Sequence, residues 1–262
     1  MKRLPNAVRA IRGTAALLGI GVLFLLSGIY VRLFLWPGVW LFPARRGAWV
    51  GAYMRFMSRC VFRLLGLAGA RVRRVGWFRS DAPSLVIMNH QSLLDIPTAT
   101  LMCGPRAPRF VNRKWYSRGV PAVSPAIRLS DGPVIDPDGG PRAAVRLLQD
   151  CARTADGALL IFPEGRRSRD GSIGRFHVAG LTAMLRERRL PVYLIVTDGF
   201  WRCRELADFV YHVDRVEGQT QLFGPFESPP DEAHIPAFIE GLRRRMIERQ
   251  RELRAKGTVT PE

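Results

Sequence analysis

The sequence predicts an α/β fold with a mixed, largely parallel sheet flanked by helices, preceded by an N-terminal membrane-associated helical segment. Three observations lead to this prediction. An uncharged apolar run near the N-terminus has basic residues on both sides. Apolar segments of strand length and helix length alternate along the rest of the chain. Two of the apolar strands end directly at clusters of polar residues, and ligands bind at that edge of open α/β sheets.

Composition and charge restrict the class of protein. The 262 residues include 40 Lys and Arg against 22 Asp and Glu, and the hydrophobic content of 47% excludes a disordered chain. Residues 1–80 contain 14 basic residues and no acid, whereas the other 26 basic and 22 acidic residues nearly balance. Basic charge confined to the most apolar part of a chain is typical of proteins at an anionic membrane surface. The distribution therefore favours membrane lipids as partners and argues against nucleic acid.

Residues 1–69 are expected to form a membrane-anchoring helical segment, followed by an α/β domain at residues 70–262. Thr14 to Val31 is an uncharged run of 18 residues, near the lower limit for crossing a bilayer core of about 30 Å. Basic residues precede and follow the apolar segment, so a hairpin that returns to the same face of the membrane is favoured.

In that hairpin, residues 14–31 and 33–43 form the two arms and Arg32 lies between them. A single span is the main alternative, and a cleaved signal peptide or a buried core helix are two others. Residues 44–69 interleave arginines with aromatic and aliphatic residues, a pattern that predicts an amphipathic helix lying in the membrane interface.

The segments after residue 70 alternate in type. A proline at residue 141 and a regular spacing of apolar residues after it predict a helix that begins there. The expected strands are 84–88, 109–112, 133–135, 158–162 and 191–197, with further strands within 209–224. The expected helices are 92–102, 121–129, 141–154, 177–188 and 231–255.

The spacing of the cysteines does not indicate a metal site or a disulfide. Cys60, Cys103, Cys151 and Cys203 lie about 45 residues apart without a C-x-x-C pair. We expect free buried thiols in a reducing compartment, with no structural metal and no disulfide.

The first polar cluster follows the strand at residues 84–88. His90 stands at the end of this strand, and Asp95 comes five residues later, in the first turn of the next predicted helix. A carboxylate there can hold one imidazole nitrogen and leave the other free as a base. The pair lacks a protein nucleophile, so the attacking group would belong to the substrate, most simply an alcohol. Alone the pair is weak evidence, because a histidine at a strand end is more often structural.

The second polar cluster follows the strand at residues 158–162. It reads Phe-Pro-Glu-Gly-Arg-Arg-Ser-Arg over residues 162–169, with three arginines within four residues of a glycine-rich turn. Guanidinium groups and backbone N–H groups in such a turn can bind phosphate. The alternative is a solvent-exposed basic turn. Glu164, between Pro163 and Gly165, needs a partner such as an arginine or a substrate hydroxyl.

Together these blocks resemble those of the 1-acylglycerol-3-phosphate acyltransferase family. Residues 89–95 resemble that family's N-H-x4-D block, and residues 162–168 resemble its F-P-E-G-T-R-S block, with Arg166 at the threonine position. Residues 114–136 resemble a third block, K-x-L…P-x-x-G…I-D-R, except that Ser124 replaces a glycine and Pro137 replaces an arginine that contacts phosphate. The resemblance covers about residues 70–225.

The resemblance implies a catalytic function for two residues, and a substrate-binding function for several others. His90 would deprotonate the hydroxyl of a lysophospholipid, which then attacks the thioester of acyl-CoA or acyl carrier protein, while Asp95 orients His90. No other cofactor is implied. The implied substrate-binding residues are Glu164, Gly165, Arg166, Arg167, Ser168, Lys114 and Arg128.

The most favoured function is therefore transfer of a fatty acyl group to 1-acylglycerol-3-phosphate at the cell membrane, with the domain on the cytoplasmic face. Pro137 at the arginine position leaves open another lysolipid as the acceptor. A non-catalytic protein that binds anionic lipid is a further alternative, although it does not explain the two clusters. A lipid-ester hydrolase would need a nucleophile, and the sequence contains no G-x-S-x-G motif.

Overall fold

The computed structural model describes residues 5–120 and 123–255. The N-terminal helix is continuous from Asn6 to Leu41, with α1 at Asn6–Tyr30, a π-helical turn at Val31–Leu35 and α2 at Trp36–Leu41. The chain stays helical at Arg32, whose guanidinium donates to the carbonyl of Gly28 one turn earlier, at 3.3 Å. The wide π turn comes just before Pro37, the residue that cannot donate a backbone hydrogen bond.

The predicted hairpin is therefore wrong in the position of its turn. The chain reverses at residues 42–45 and continues as α3, Arg46–Leu67, which confirms the helix predicted at 44–69. α3 packs antiparallel to the first helix: the hydroxyls of Ser27 and Tyr53 are 2.9 Å apart, and Gly19 lies against Leu64. The chain does not turn at the charged Arg32. A helix pairs its own backbone N–H and C=O groups, and a long side chain can extend outward from it.

The remaining elements form the α/β unit. Its strands are β1 Arg71–Val75, β2 Phe78–Arg79, β3 Ser84–Met88, β4 Cys103–Gly104, β5 Arg109–Phe110, β6 Asn112–Arg113, β7 Val134–Ile135, β8 Ala158–Ile161, β9 Val192–Asp198 and β10 Glu217–Phe226. Its helices are α4 Asp95–Leu101, α5 Val123–Leu129, α6 Gly140–Arg153, α7 Val178–Glu187, α8 Asp208–His212 and α9 Ile235–Ala255. The predicted helix at 121–129 is seen from Val123 onward, since residues 121 and 122 lie outside the described residues.

The main sheet has the order β1-β10-β9-β3-β8-β5, and only the β9–β10 pair is antiparallel. This confirms the mixed, largely parallel sheet. β3 is central and runs parallel to β8 and β9, so the chain leaves β3 and β8 at the same edge. The two polar clusters, 74 residues apart in sequence, therefore meet there.

Both faces of the sheet are covered. Leu85 and Ile87 of β3 pack with α6, α7 and α9, while Val86 and Met88 pack with α4 on the opposite face. This alternation is the two-residue period of a strand buried on both sides.

The structure differs from the predicted elements in several places. The helix predicted at 92–102 begins only at Asp95, because residues 91–94 form a turn around its carboxylate. Residues within 209–224 are not all strand, since α8 precedes β10. β1 was not predicted, because an edge strand rich in arginine carries little apolar signal.

Candidate active site

The histidine block is held by hydrogen bonds that extend the sheet beyond β3. Asn89 is buried and its side-chain amide donates to the carbonyl of Thr197 at 2.8 Å, while its oxygen accepts from the Thr197 N–H at 2.8 Å. These two hydrogen bonds to β9 fix the backbone directly before His90. The position of the imidazole is thus determined by the sheet and not by a free loop.

Asp95 is the buried partner of His90. Its Oδ2 atom lies 2.7 Å from His90 Nδ1 and also accepts from the backbone N–H groups of Gln91 at 2.6 Å and Ser92 at 2.8 Å. Asp95 is fully buried in the first turn of α4, as predicted, where the helix dipole also favours a negative charge. A carboxylate that accepts at Nδ1 selects the tautomer with its proton on that nitrogen, which leaves Nε2 as the basic atom.

The exposure of His90 suits it for a substrate. Its side chain is 19% exposed, and the ring stacks on Phe162 with centroids 4.2 Å apart and an interplanar angle of 24°. Phe162 is the residue that follows β8. One face of the imidazole is therefore covered by the second block, while part of the side chain stays exposed to solvent.

Glu164 connects the two blocks through their backbones. Its Oε1 atom accepts from the His90 N–H at 2.9 Å and its Oε2 atom accepts from the Gly174 N–H at 2.9 Å. Burial raises the pKa of this carboxyl, and the two backbone N–H groups oppose that shift. Both oxygens already have protein partners, so Glu164 is placed to hold the backbone at His90 and Gly174. Its predicted contact with substrate stays a prediction.

The arginine block lies beside His90, and its residues differ in position. The Ser168 N–H donates to the carbonyl of His90 at 2.7 Å, and Gly165 adopts a positive φ of 66°, which glycine allows at low cost. Arg167 is half-buried and donates from one guanidinium nitrogen to the carbonyl of Arg204, so its other N–H groups are available to an anion. Arg166 is exposed.

The third sequence block, residues 114–136, is connected to this site near its first residue. Arg113, at the end of β6, donates to the carbonyl of Gly165. Its neighbour Lys114 forms a 2.5 Å ion pair with Asp136, which lowers the pKa of that carboxyl. Lys114 thus lies near the arginine block with its charge already paired.

Arg128 lies elsewhere. It donates to the carbonyl of Ser117 at 3.2 Å and lines a groove against the N-terminal helix together with Arg32 and Arg46. The structure therefore brings His90, Asp95, Glu164, Gly165, Arg167 and Ser168 into one site, and it places Arg128 with a different set of residues. Ser124, which departs from the family pattern, is buried and uses its hydroxyl to accept from the Val120 N–H and donate to the Tyr116 carbonyl.

Two glutamines of the site were not predicted. Gln91 donates to the carbonyl of Gly171 at 2.9 Å and accepts from the N–H of Phe200 at 3.1 Å. Gln250 of α9 donates to the same Gly171 carbonyl at 2.8 Å. Gln250 carried no signal in the sequence except its polar character in the middle of an apolar helix face. In the described part of the chain, no group of three or more His, Cys, Asp or Glu is gathered as a metal site requires.

The arrangement can act as a base toward an alcohol. His90 is partly exposed, and Asp95 holds Nδ1, which leaves Nε2 to act as the base. Asp95 can stabilise the imidazolium that proton transfer would produce, and arginines that can bind an anion lie within the adjoining turn. Among the described residues, the imidazole of His90 has Asp95 as its hydrogen-bond partner, and no serine hydroxyl or cysteine thiol is bonded to the ring.

Comparison with known proteins agrees with this chemistry. Residues 70–197 match the model of the Acyltransferase family. No curated protein matches the chain significantly in sequence.

A solved structure shares the fold. The crystal structure of the 1-acyl-sn-glycerophosphate (LPA) acyltransferase PlsC from Thermotoga maritima superimposes with a TM-score of 0.62 at 18% identity, covering 98% of each chain. The likeness extends over the N-terminal helices as well as the sheet. The match to the family model confirms the acyltransferase resemblance seen in the two sequence blocks, and the solved structure shows the same fold. Residues 70–197 form an acyltransferase domain, and the chain that contains it is an acyltransferase.

Proposed function

We propose that this enzyme transfers a fatty acyl group from acyl-CoA or acyl carrier protein to the free hydroxyl of 1-acylglycerol-3-phosphate, which gives phosphatidic acid. The observation that carries the proposal is the His90–Asp95 pair, joined through Glu164 and Ser168 to a loop with three arginines. A base and a phosphate-binding turn side by side match an acceptor that has both a hydroxyl and a phosphate.

In the proposed reaction, Nε2 of His90 takes the proton of the acceptor hydroxyl as its oxygen attacks the thioester carbonyl. The oxygen–carbon bond forms and the carbon–sulfur bond breaks. The thiolate leaves with the proton that His90 had taken, so His90 returns to its neutral form. Asp95 holds Nδ1 by its hydrogen bond and stabilises the imidazolium. Arg167, with Arg166, holds the phosphate of the acceptor.

The choice of acceptor is supported by the arginines and by the solved relative, which is described as an LPA acyltransferase. Pro137 replaces the arginine that contacts phosphate in the family pattern and opens a 3-10 turn at Pro137–Gly139. Arg167 and Arg166 therefore account for phosphate binding without that residue in this proposal.

We further propose that the N-terminal helix holds the enzyme in the cell membrane, with the acyltransferase domain on the cytoplasmic face. Asn6–Leu41 is 36 residues long; its most apolar window of 18 residues has a mean hydropathy of 2.2, and 22% of that window is buried in the protein. At 1.5 Å per residue the helix measures about 54 Å, longer than the bilayer core of about 30 Å. Acyl-CoA and acyl carrier protein are cytoplasmic donors, which supports the orientation.

The test is the turnover of purified enzyme with acyl-CoA or acyl carrier protein and a panel of lysolipids. His90→Ala should lower kcat by about 10²–10⁴-fold, the usual effect of removing a positioned base. Asp95→Asn should lower it less, because the ring is misoriented but present. The control is His234→Ala, since His234 is an exposed histidine paired with Asp231.

Three outcomes would overturn the proposal. Wild-type turnover in His90→Ala would exclude His90 as the base. An equal loss in His234→Ala would show a non-specific effect of the substitution. Transfer to a neutral monoacylglycerol as efficient as transfer to the phosphate-bearing lipid would remove 1-acylglycerol-3-phosphate as the preferred acceptor.

A further inference from the structure

A groove between the N-terminal helix and α5 lies outside the His90 site. It has a volume of about 370 Å³ and is lined by residues of the first helix, the start of α3 and α5. We call it the α2–α5 groove. Its cationic lining residues are Arg32, Arg46 and Arg128, and none of its ten described lining residues is acidic.

The three guanidinium groups are not equally engaged. Arg46 donates to the carbonyls of Leu129 and Arg128 and forms a 2.6 Å ion pair with Asp131, an exposed residue outside the lining. These bonds fix the start of α3 to the end of α5. Arg46 therefore builds the wall of the groove and its charge is largely compensated.

Arg32 and Arg128 have only carbonyl partners among the described residues. Arg32 donates to Gly28 of its own helix at 3.3 Å, and Arg128 donates to Ser117 at 3.2 Å. Each guanidinium has five N–H donors, so most of them remain available to an anion. Two such groups on opposite walls of one groove match the oxygens of a phosphate, which arginine binds with charge-assisted hydrogen bonds.

The rest of the groove is apolar and aromatic. Trp36 and Trp40 line it and are 55% and 80% exposed, and Leu33 and Phe34 next to them are 62% and 64% exposed. Tryptophan is enriched at the depth of lipid headgroups. A volume of about 370 Å³ accommodates a glycerophosphate headgroup, while acyl chains would have to lie along the exposed apolar side of the helix.

We propose that the α2–α5 groove binds the phosphate headgroup of an anionic two-chain phospholipid of the surrounding membrane, apart from the acceptor site at His90. The lipid phosphate contacts Arg32 and Arg128, and its glycerol backbone lies against Trp36 and Trp40. Because Arg32 belongs to the N-terminal helix and Arg128 to α5, the bound lipid connects these two elements across the groove.

The experiment uses the full-length protein in neutral detergent, titrated with phosphatidylglycerol that carries a pyrene group on one acyl chain. Energy transfer from tryptophan reports binding, since two of the six tryptophans line the groove. Arg32→Gln should weaken binding about tenfold or more, as expected for the loss of one charge-assisted contact. Among the described residues, the Arg32 side chain hydrogen-bonds only to Gly28 of its own helix, so the fold should be retained.

Arg12→Gln is the matched control, because it removes the same charge from an exposed position of the same helix, about 30 Å away at 1.5 Å per residue. It should bind like the wild type. Arg128→Gln is the second variant and should weaken binding as Arg32→Gln does. Pyrene-labelled phosphatidylcholine should bind at least tenfold more weakly, and inorganic phosphate should not displace the labelled lipid.

Equal weakening by Arg12→Gln and Arg32→Gln would overturn the proposal, because binding would then follow overall charge. Equal binding of phosphatidylcholine would exclude recognition of an anionic headgroup, and displacement by inorganic phosphate would indicate a simple anion site. His90→Ala should bind the probe normally; loss of binding in that variant would place the lipid in the acyl-transfer site instead. Since binding is measured without turnover, it can succeed or fail independently of the proposed acyl transfer.

Discussion

Replacement of Glu164 by glutamine tests how the two sequence blocks are joined. The carboxylate accepts one backbone N–H on each oxygen, from His90 and Gly174, both at 2.9 Å. An amide of the same shape has one acceptor, so one of the two N–H groups would face an NH₂ group and lose its bond. A hydrogen bond to a charged group contributes about 1.5–3 kcal/mol.

Part of this loss is offset, because the neutral amide does not carry the desolvation cost that raises the pKa of Glu164. We therefore expect Glu164→Gln to lower the free energy of unfolding by about 1–2 kcal/mol, and the Tm by about 2–8 °C for a chain of this size. Since His90 N–H is one of the donors, kcat should fall about tenfold or more, while the acceptor KM changes little.

Thermal unfolding and steady-state kinetics of the same preparation measure both effects. Glu252→Gln is the control, because it makes the same chemical change in an exposed pair with Arg249 at 2.7 Å, where about 0.5 kcal/mol or less is at stake. A raised acceptor KM with an unchanged Tm would refute this reasoning. Glu164 would then contact the acceptor, as the family resemblance implies.

Two further predictions concern the arginine block and the thiols. Arg167→Ala should raise the KM for the phosphate-bearing acceptor about tenfold or more and leave the KM for a monoacylglycerol unchanged. Arg166→Ala, at an exposed position, is the comparison. An equal loss of kcat for both acceptors would show that Arg167 mainly supports the backbone at Arg204. Burial raises the pKa of Cys103 and of Cys203 to about 12, so both thiols stay protonated at pH 8 and iodoacetamide should alkylate them only after unfolding. Mass spectrometry measures the alkylation, and inactivation in proportion to modification of either folded-state thiol would point to an acyl-cysteine intermediate.

Local patterns in the sequence were sufficient for most of the secondary structure. The strands predicted at 84–88 and 158–162 are apolar except for Ser84 and end at polar clusters, and the structure has β3 and β8 there. Asp95 in the first turn of a helix also followed from its distance of five residues to His90. Such features depend on neighbours in the chain, so the periodicity and spacing of the residues report them directly.

The position at which the chain reverses between the first helix and α3 does not depend on neighbouring residues alone. Arg32 looks like an interruption, yet the chain remains helical through it and reverses at residues 42–45. The packing of α3 against the first helix, with Ser27 and Tyr53 in contact, decides where the chain reverses. Single-residue polarity does not report a contact between two helices.

The sequence by itself therefore determined the groups of the candidate site: a histidine with its carboxylate, an arginine-rich turn, and the strands that carry both to one edge of a sheet. The tertiary structure alone decided the partners of those residues. Glu164 meets His90 across 74 positions of sequence, and Arg128 meets Arg32 and Arg46 instead of Arg167. The physical reason is that strand order and helix packing bring together residues remote in the chain, and no spacing or periodicity within one segment encodes which remote segment lies beside it.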